Sequence, residues 1–331
     1  MLFFCTSTRQ NVFTLSWRAR VIHPLLVIAC GVAALLPLEA SAAAKAKGRH
    51  GGAAPDAFAQ QLDQAICQDW MARVPALTSG LCRSSGLVPT AGRSVNGQAL
   101  YRVDVRAHSP QLRVMVVGGI HGDELTSTTL AMRWLQLATD QPAIGYWRFI
   151  PLLNPDGMLA RPAKRMNANG VDLNRNFPTK NWNAETKQYW EQRTGRDPRR
   201  WPGPSAGSEP ETQFLLSEIQ SFQPDLIVSI HAPYGILDFD GALTPPKKLG
   251  RLHLDQLGIY PGSMGNYGSL EYHVPVVTVE LLHAIDPPSL KDTQQMWGDL
   301  LDWMQNRLLF ERHGDLVQQG EHLYPSQQYP D

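Results

Sequence analysis

The sequence lacks an excess of charge of either sign: 30 Lys and Arg balance 30 Asp and Glu over 331 residues. Such a balance offers no electrostatic footprint for a nucleic acid or an anionic membrane. There is no internal repeat and no heptad pattern, which excludes a solenoid and a coiled coil. Cysteine is scarce, four residues in all, so any covalent cross-link is a local brace. What remains is an ordinary globular composition, 43% hydrophobic and 18% charged, with ample length for a sizeable core.

Residues 1–42 read as a secretory signal peptide. MLFFCTSTRQNVFTLSWRAR ends in Arg18 and Arg20, VIHPLLVIACGVAALLPL is an apolar stretch, and Ala40-Ser41-Ala42 is a small-x-small cleavage site. A retained membrane anchor and lipidation at Cys30 are the alternatives. Pro24, Pro37 and the Ala-Ser-Ala site favour cleavage, and the apolar run continuing past Cys30 disfavours lipidation. Cleavage implies a periplasmic or secreted chain, without stable membrane insertion, that keeps two cysteines, Cys67 and Cys82. In an exported chain such a pair points to one disulfide, worth about 3 kcal/mol in the chain-entropy model. Two separate buried thiols are the alternative.

Residues 43–55 have linker composition, 56–95 form an N-terminal segment with helical spacing over 56–73, and 311–331 are a polar tail. LVPTAGRSVNGQAL is turn-rich. LYRVDVRA alternates apolar and polar residues as a half-buried strand does, and RVMVVGGI, WRFIPLLN, PDLIVSIHA and VPVVTVELL are apolar runs of strand length. ELTSTTLAMRWLQLA and PSLKDTQQMWGDLLDWMQNRLL have helical periodicity. Strands alternating with helices predict one α/β domain over 96–310 with a largely parallel central sheet. Between Asn154 and Ser208 the pattern fails, and Trp182, Tyr189, Trp190 and Trp201 favour a packed, functional loop there.

In open α/β sheets ligands bind at the carboxyl ends of the strands. Four apolar runs deliver polar residues to such an edge: His121 with Glu124, Asn154, His231 and Glu280. Two histidines and a carboxylate, His121, Glu124 and His231, make the ligand set of a hydrolytic zinc site with one position open. A metal would compensate the burial of all three. Set against this, a lone His-x-x-Glu pair is more often a surface or capping feature, and Glu280 has a satisfied core carboxylate as its plain reading.

Several segments in order resemble the zinc carboxypeptidase family of the pancreatic type: Gly-x-His-Gly-x-Glu at 119–124, Asn-Pro-Asp-Gly at 154–157, Arg165 before Asn167, Gly-Val-Asp-Leu-Asn-Arg-Asn-Phe-Pro at 170–178, Ser-Glu-Pro-Glu-Thr at 208–212, His231, and Val-Glu-Leu at 279–281. Pro-Gly-Ser-Met-Gly-Asn-Tyr-Gly-Ser at 261–269 resembles the bacterial murein-peptide amidase branch, which cleaves γ-D-glutamyl-meso-diaminopimelate bonds. The resemblance implies a three-layer α/β/α fold around a mixed sheet, and one Zn2+ held by His121, Glu124 and His231. It further implies Glu280 as general base, Arg165 as oxyanion stabiliser, Asn174 and Arg175 on the substrate's terminal carboxylate, and Asp172 bonded to the outer nitrogen of His121. Arg161, Lys164 and Arg165 also read as a solvated basic patch. For the mobile tyrosine of such enzymes Tyr267 and Tyr272 compete, with Tyr267 in the better turn. Ser208 with Glu211 reads as a capping box opening the helix ETQFLLSEIQ.

The implied function is an exported zinc peptidase acting on peptidoglycan-derived peptides. Export is a departure, since that branch is often cytoplasmic. A general metallocarboxypeptidase, and a deacylase of the succinylglutamate and aspartoacylase type sharing His-x-x-Glu and Asp-Leu-Asn-Arg, are the catalytic alternatives. A non-catalytic wall-binding protein would have lost ligands or base, and all are present.

Overall fold

The computed structural model describes residues 65–311 apart from 142, 143, 181 and 259. The signal peptide, the linker, the start of the 56–73 helix and the tail beyond 311 lie outside the described residues. Among the described residues a seven-stranded sheet runs in the order β1-β2-β4-β3-β5-β7-β6. Its strands are β1 (Val88–Arg93), β2 (Ala99–Arg106), β3 (Leu112–Val117), β4 (Gly145–Ile150), β5 (Leu226–His231), β6 (Ile236–Asp240) and β7 (Val276–Glu280). The four central strands, β4, β3, β5 and β7, are parallel. The outer pairings β1–β2, β2–β4 and β6–β7 are antiparallel.

The central runs are apolar throughout because both faces are covered. Val114 and Val116 of β3 point into one core layer, and Met115 and Val117 into the other. On the first face lie α1 (Leu125–Asp140) and, late in the chain, the helix Leu290–Trp303, with Trp134 and Trp297 rings 5.6 Å apart. On the second lies the helix Pro210–Phe222, through Leu215, Ile219 and Phe222. The three layers match the expected class. Two outer strands were not expected. β1 lies in a segment read as turns, and β6, ILDFD, is too short and acidic to stand out.

The N-terminal segment packs on the α1 side through Trp70, Val74 and Leu77. Cys67 and Cys82 are joined in a disulfide. Arg73 reaches across to the carbonyls of Met158 and Ala160.

Three expectations need correction. The Asn154–Ser208 segment is not free of regular structure: Trp182–Gln192 is a helix, and Pro155–Leu159, Leu173–Arg175 and Pro198–Arg200 are short helical turns. The helix buries only Trp182 and Thr186, too few for an apolar stripe. Asn154 does not end a strand. β4 stops at Ile150 because Pro151 has no N–H for the ladder, and Asn154 caps the next turn by accepting from the Gly157 N–H at 2.9 Å. Ser208 and Glu211 form no capping box. The helix starts at Pro210 with Glu209 at its cap position, while Glu211 accepts from the Val95 N–H and Asn167 Nδ2.

Candidate metal centre and cavity

The chain runs from β3 through α1 to β4 on one side of β3, whereas β5 pairs on its other side. Strand order therefore reverses between β3 and β5, and the crevice at such a switch point is where α/β sheets bind ligands. His121 follows β3 and His231 ends β5. The turn carrying His121 and Glu124 lies hard against the Asn154 turn. Any side chain at Gly122 would collide with the backbone of Gly157 and Met158.

His121, Glu124 and His231 are buried, and their ligand atoms all lie within 4.8 Å of one another. His121 Nδ1 is 2.8 Å from Glu124 Oε1, and His231 Nδ1 is 3.1 Å from Glu124 Oε2. The outer nitrogens are tied elsewhere: His121 Nε2 to Asp172 Oδ1 at 3.1 Å, and His231 Nε2 to Ser229 Oγ at 2.8 Å. These outer partners hold the N–H at Nε2 and turn the Nδ1 lone pairs toward each other and toward the carboxylate. Three electron-pair donors facing one point need a cation between them. Two imidazoles and a carboxylate are the donor set that suits zinc, so the residues fit that metal.

The charges agree. Burial would raise the Glu124 carboxyl, but the His121 charge and the imidazole hydrogen bonds hold it well below the ordinary range. Burial also opposes Asp172, and Arg165 and His121 keep it ionised. Burial and Arg165 disfavour a charged His121, and Glu124 and Asp172 outweigh them, so its pKa is raised. Arg165 Nε donates to Asp172 Oδ2 at 3.0 Å and Nη1 to Glu124 Oε1 at 3.2 Å, so it belongs to the centre and not to a solvated basic patch.

The centre opens into a cavity of about 270 Å3 that Glu280, Asn174 and Arg175 also line. Glu280 stands opposite His231 in the β5–β7 register. Its Oε2 is buried without a hydrogen-bond partner. Burial pushes this carboxyl up to about 7, with the His231 charge opposing and Glu124 assisting. Arg175 is 8% exposed, stacks on Tyr260 at 4.8 Å, and has a buried, unpartnered Nε. Asn174 Oδ1 accepts from the Met264 N–H.

Tyr267 is the sequence-predicted site residue that the fold does not bring here. Its ring packs on Phe177 and Tyr272, 5.9 and 6.2 Å away, and the aromatic walls of the cavity are Tyr234 and Tyr260. Sequence reasoning also missed Ser229, Asp238, Asp240 and Thr278, all on the cavity wall. A signal existed. Ser-x-His, Asp-x-Asp and Thr-x-Glu put polar residues on one face of β5, β6 and β7, where the other face is apolar.

This fold and centre define a zinc carboxypeptidase. Residues 68–237 match the family model described as zinc carboxypeptidase, and the chain belongs to that family, a zinc metallopeptidase with one zinc site. It is 33% identical to murein peptide amidase A of Vibrio campbellii over 206 residues, 59% of this chain and 79% of that protein. To murein peptide amidase A of Escherichia coli K12 it is 38% identical over 149 residues, 44% of this chain. That match spans only 60% of the relative's length. Bovine thrombin-activatable fibrinolysis inhibitor shares the fold, with a TM-score of 0.51 at 16% identity over 73% of this chain and 93% of that one. Among the described residues no helix is long and apolar enough to cross a membrane.

Proposed function

We propose that this chain is an exported amidase that hydrolyses the γ-D-glutamyl-meso-diaminopimelate bond of peptidoglycan peptides. The observation that carries the reading is one cavity joining the His121–Glu124–His231 centre to two orphaned buried atoms, Glu280 Oε2 and Arg175 Nε. An unpaired buried polar atom costs free energy until a ligand satisfies it. The names of the Vibrio and Escherichia relatives support a murein-peptide substrate, and the signal-like residues 1–42 support export.

Bound zinc supplies Lewis acidity at the scissile carbonyl and at the attacking water. Glu280 takes a proton from that water as its oxygen bonds to the carbonyl carbon. The same proton goes to the nitrogen as the C–N bond breaks, so acid and amine leave in balance. A carboxyl held near 7 suits both transfers. Arg165 donates to the developing oxyanion. Arg175 and Asn174 hold the carboxylate of the residue that leaves.

The test is incubation of the mature chain with a γ-D-glutamyl-diaminopimelate peptide, with and without a chelator. Chelator-sensitive release of diaminopimelate is expected. No release overturns the substrate, and turnover of acyl-amino acids in place of peptides assigns a deacylase.

A further inference from the structure

The turn after Asn154 is wedged between the two stretches that carry the metal centre. On one side, any side chain at Gly122, next to His121, would meet the backbone of Gly157 and Met158. On the other, any side chain at Gly157 would meet the carbonyls of Lys164 and Met166, which flank Arg165. Asn154 Nδ2 donates to the Arg165 carbonyl at 3.1 Å, and the Gly122 N–H reaches the same oxygen at 3.4 Å. With backbone packed directly on backbone, a shift of this turn moves His121 and Arg165 with it.

A helical turn leaves its last carbonyls without partners of its own. Arg73, from the N-terminal segment, takes them here. Its Nε and Nη2 both donate to the Met158 carbonyl at 3.2 Å, and Nη2 also donates to the Ala160 carbonyl. Among the described residues every side-chain hydrogen bond of Arg73 goes to this turn.

Arg73 is itself held by a brace. Cys67 and Cys82 lie on either side of it in the chain, and their bridge closes the loop that contains it. Within the loop Trp70, Val74 and Leu77 share a core cluster with Met158. The Pro75 carbonyl accepts from Thr129 Oγ1 of α1 at 2.8 Å. Local opening of such a segment costs less than global unfolding, and a cross-link at its base raises that cost.

We infer that Arg73 is a positioning residue for the metal centre and that the Cys67–Cys82 bridge sustains it, so that the centre is fully formed only in the oxidised chain. The inference goes beyond the proposed substrate and does not depend on it. Opening the bridge adds two electrons and two protons to the sulfurs. An external dithiol supplies them and becomes a disulfide. A phosphine does the same with water and becomes its oxide.

The test is zinc affinity of the mature chain, by competition with a chromophoric chelator, with peptide hydrolysis in parallel. Arg73→Ala should weaken zinc binding by about tenfold, the low end of the effect of losing a ligand's outer partner. Its kcat should fall while KM holds. Arg73→Lys keeps one charged donor and should recover part of the loss. The Cys67→Ala, Cys82→Ala double variant should weaken zinc binding too. Adding Arg73→Ala to it should cost little more, because bridge and guanidinium act on the same turn. A phosphine should reproduce the loss in the parent and change nothing in the double variant, which separates the bridge from stripping of the metal. If Arg73→Ala fails to fold, the phosphine comparison carries the test.

A folded Arg73→Ala chain with a lower melting temperature and unchanged zinc affinity overturns the inference, since the contact is then only structural. Additive losses, or a reduced parent with full affinity, overturn the link to the bridge. The expected zinc effects in a chain that hydrolyses no murein peptide leave the positioning role standing and sink the amidase reading.

Discussion

The Nδ1 atoms of His121 and His231 lie 3.2 Å apart, although the residues are 110 positions apart in the chain. Parallel pairing of β3 with β5 brings them together, and Asp172 and Ser229 on the far sides of the rings fix which nitrogens meet. The strand pairing sets the distance and the outer hydrogen bonds set the orientation.

Ser229 is a direct check on that division of labour. Ser229→Ala removes the partner of His231 Nε2 and leaves all three ligands in place. Zinc affinity should fall by about 10–100-fold, the usual effect of losing an outer-shell partner. Competition with a chromophoric chelator measures it, and unchanged affinity would show that strand geometry alone orients the ring.

Glu280→Gln keeps the size of the side chain and discards the proposed base. Turnover should fall by at least about 10²-fold with zinc content unchanged. Retained turnover in a variant carrying one zinc per chain would move the proton-transfer role to another group.

Removing a ligand should act differently. Glu124→Ala leaves two imidazoles and frees Arg165 from one of its two carboxylates. Both bound metal and activity should be lost together, and metal analysis beside the peptide assay distinguishes this from the Glu280 variant.

Asp240 should make stability depend on pH. Burial, with Asp238 beside it, raises its carboxyl from 3.8 to about 7 in the folded chain. In the unfolded chain the same carboxyl ionises near its ordinary value, so between roughly pH 4 and 7 the folded state binds the extra proton. Stability from this group is therefore full below pH 4 and is lost as the pH rises to about 7. Asp240→Asn should raise the melting temperature at pH 8 relative to the parent, with the difference shrinking at pH 4. Calorimetry across that range would show it, and a constant difference would contradict the account.

The Cys67–Cys82 bridge closes a separation of 15 residues. By the chain-entropy model its loss costs about 3 kcal/mol. For a domain of this size that corresponds to a drop of roughly 6–12 °C in melting temperature. Comparison of the parent with a Cys67→Ala, Cys82→Ala double variant tests it.

The sequence by itself determined the sheet's interior and which residues gather at the candidate metal centre. Apolar runs such as RVMVV and DLIVSI can be buried on both faces only as central strands, and a charged or imidazole residue ending such a run needs a compensating partner. Tertiary structure alone decided the rest. β1 and β6 are held by pairing with neighbours distant in sequence, which local composition does not encode. Tyr267 turned into a core beside Phe177, while Tyr260, with no motif around it, met Arg175. Asp238 and Asp240 look like surface residues in a short polar strand. They became cavity residues because β6 pairs with β7, which puts their face beside Glu280. A side chain's surroundings depend on which strands become neighbours, and that is fixed by packing of the whole chain.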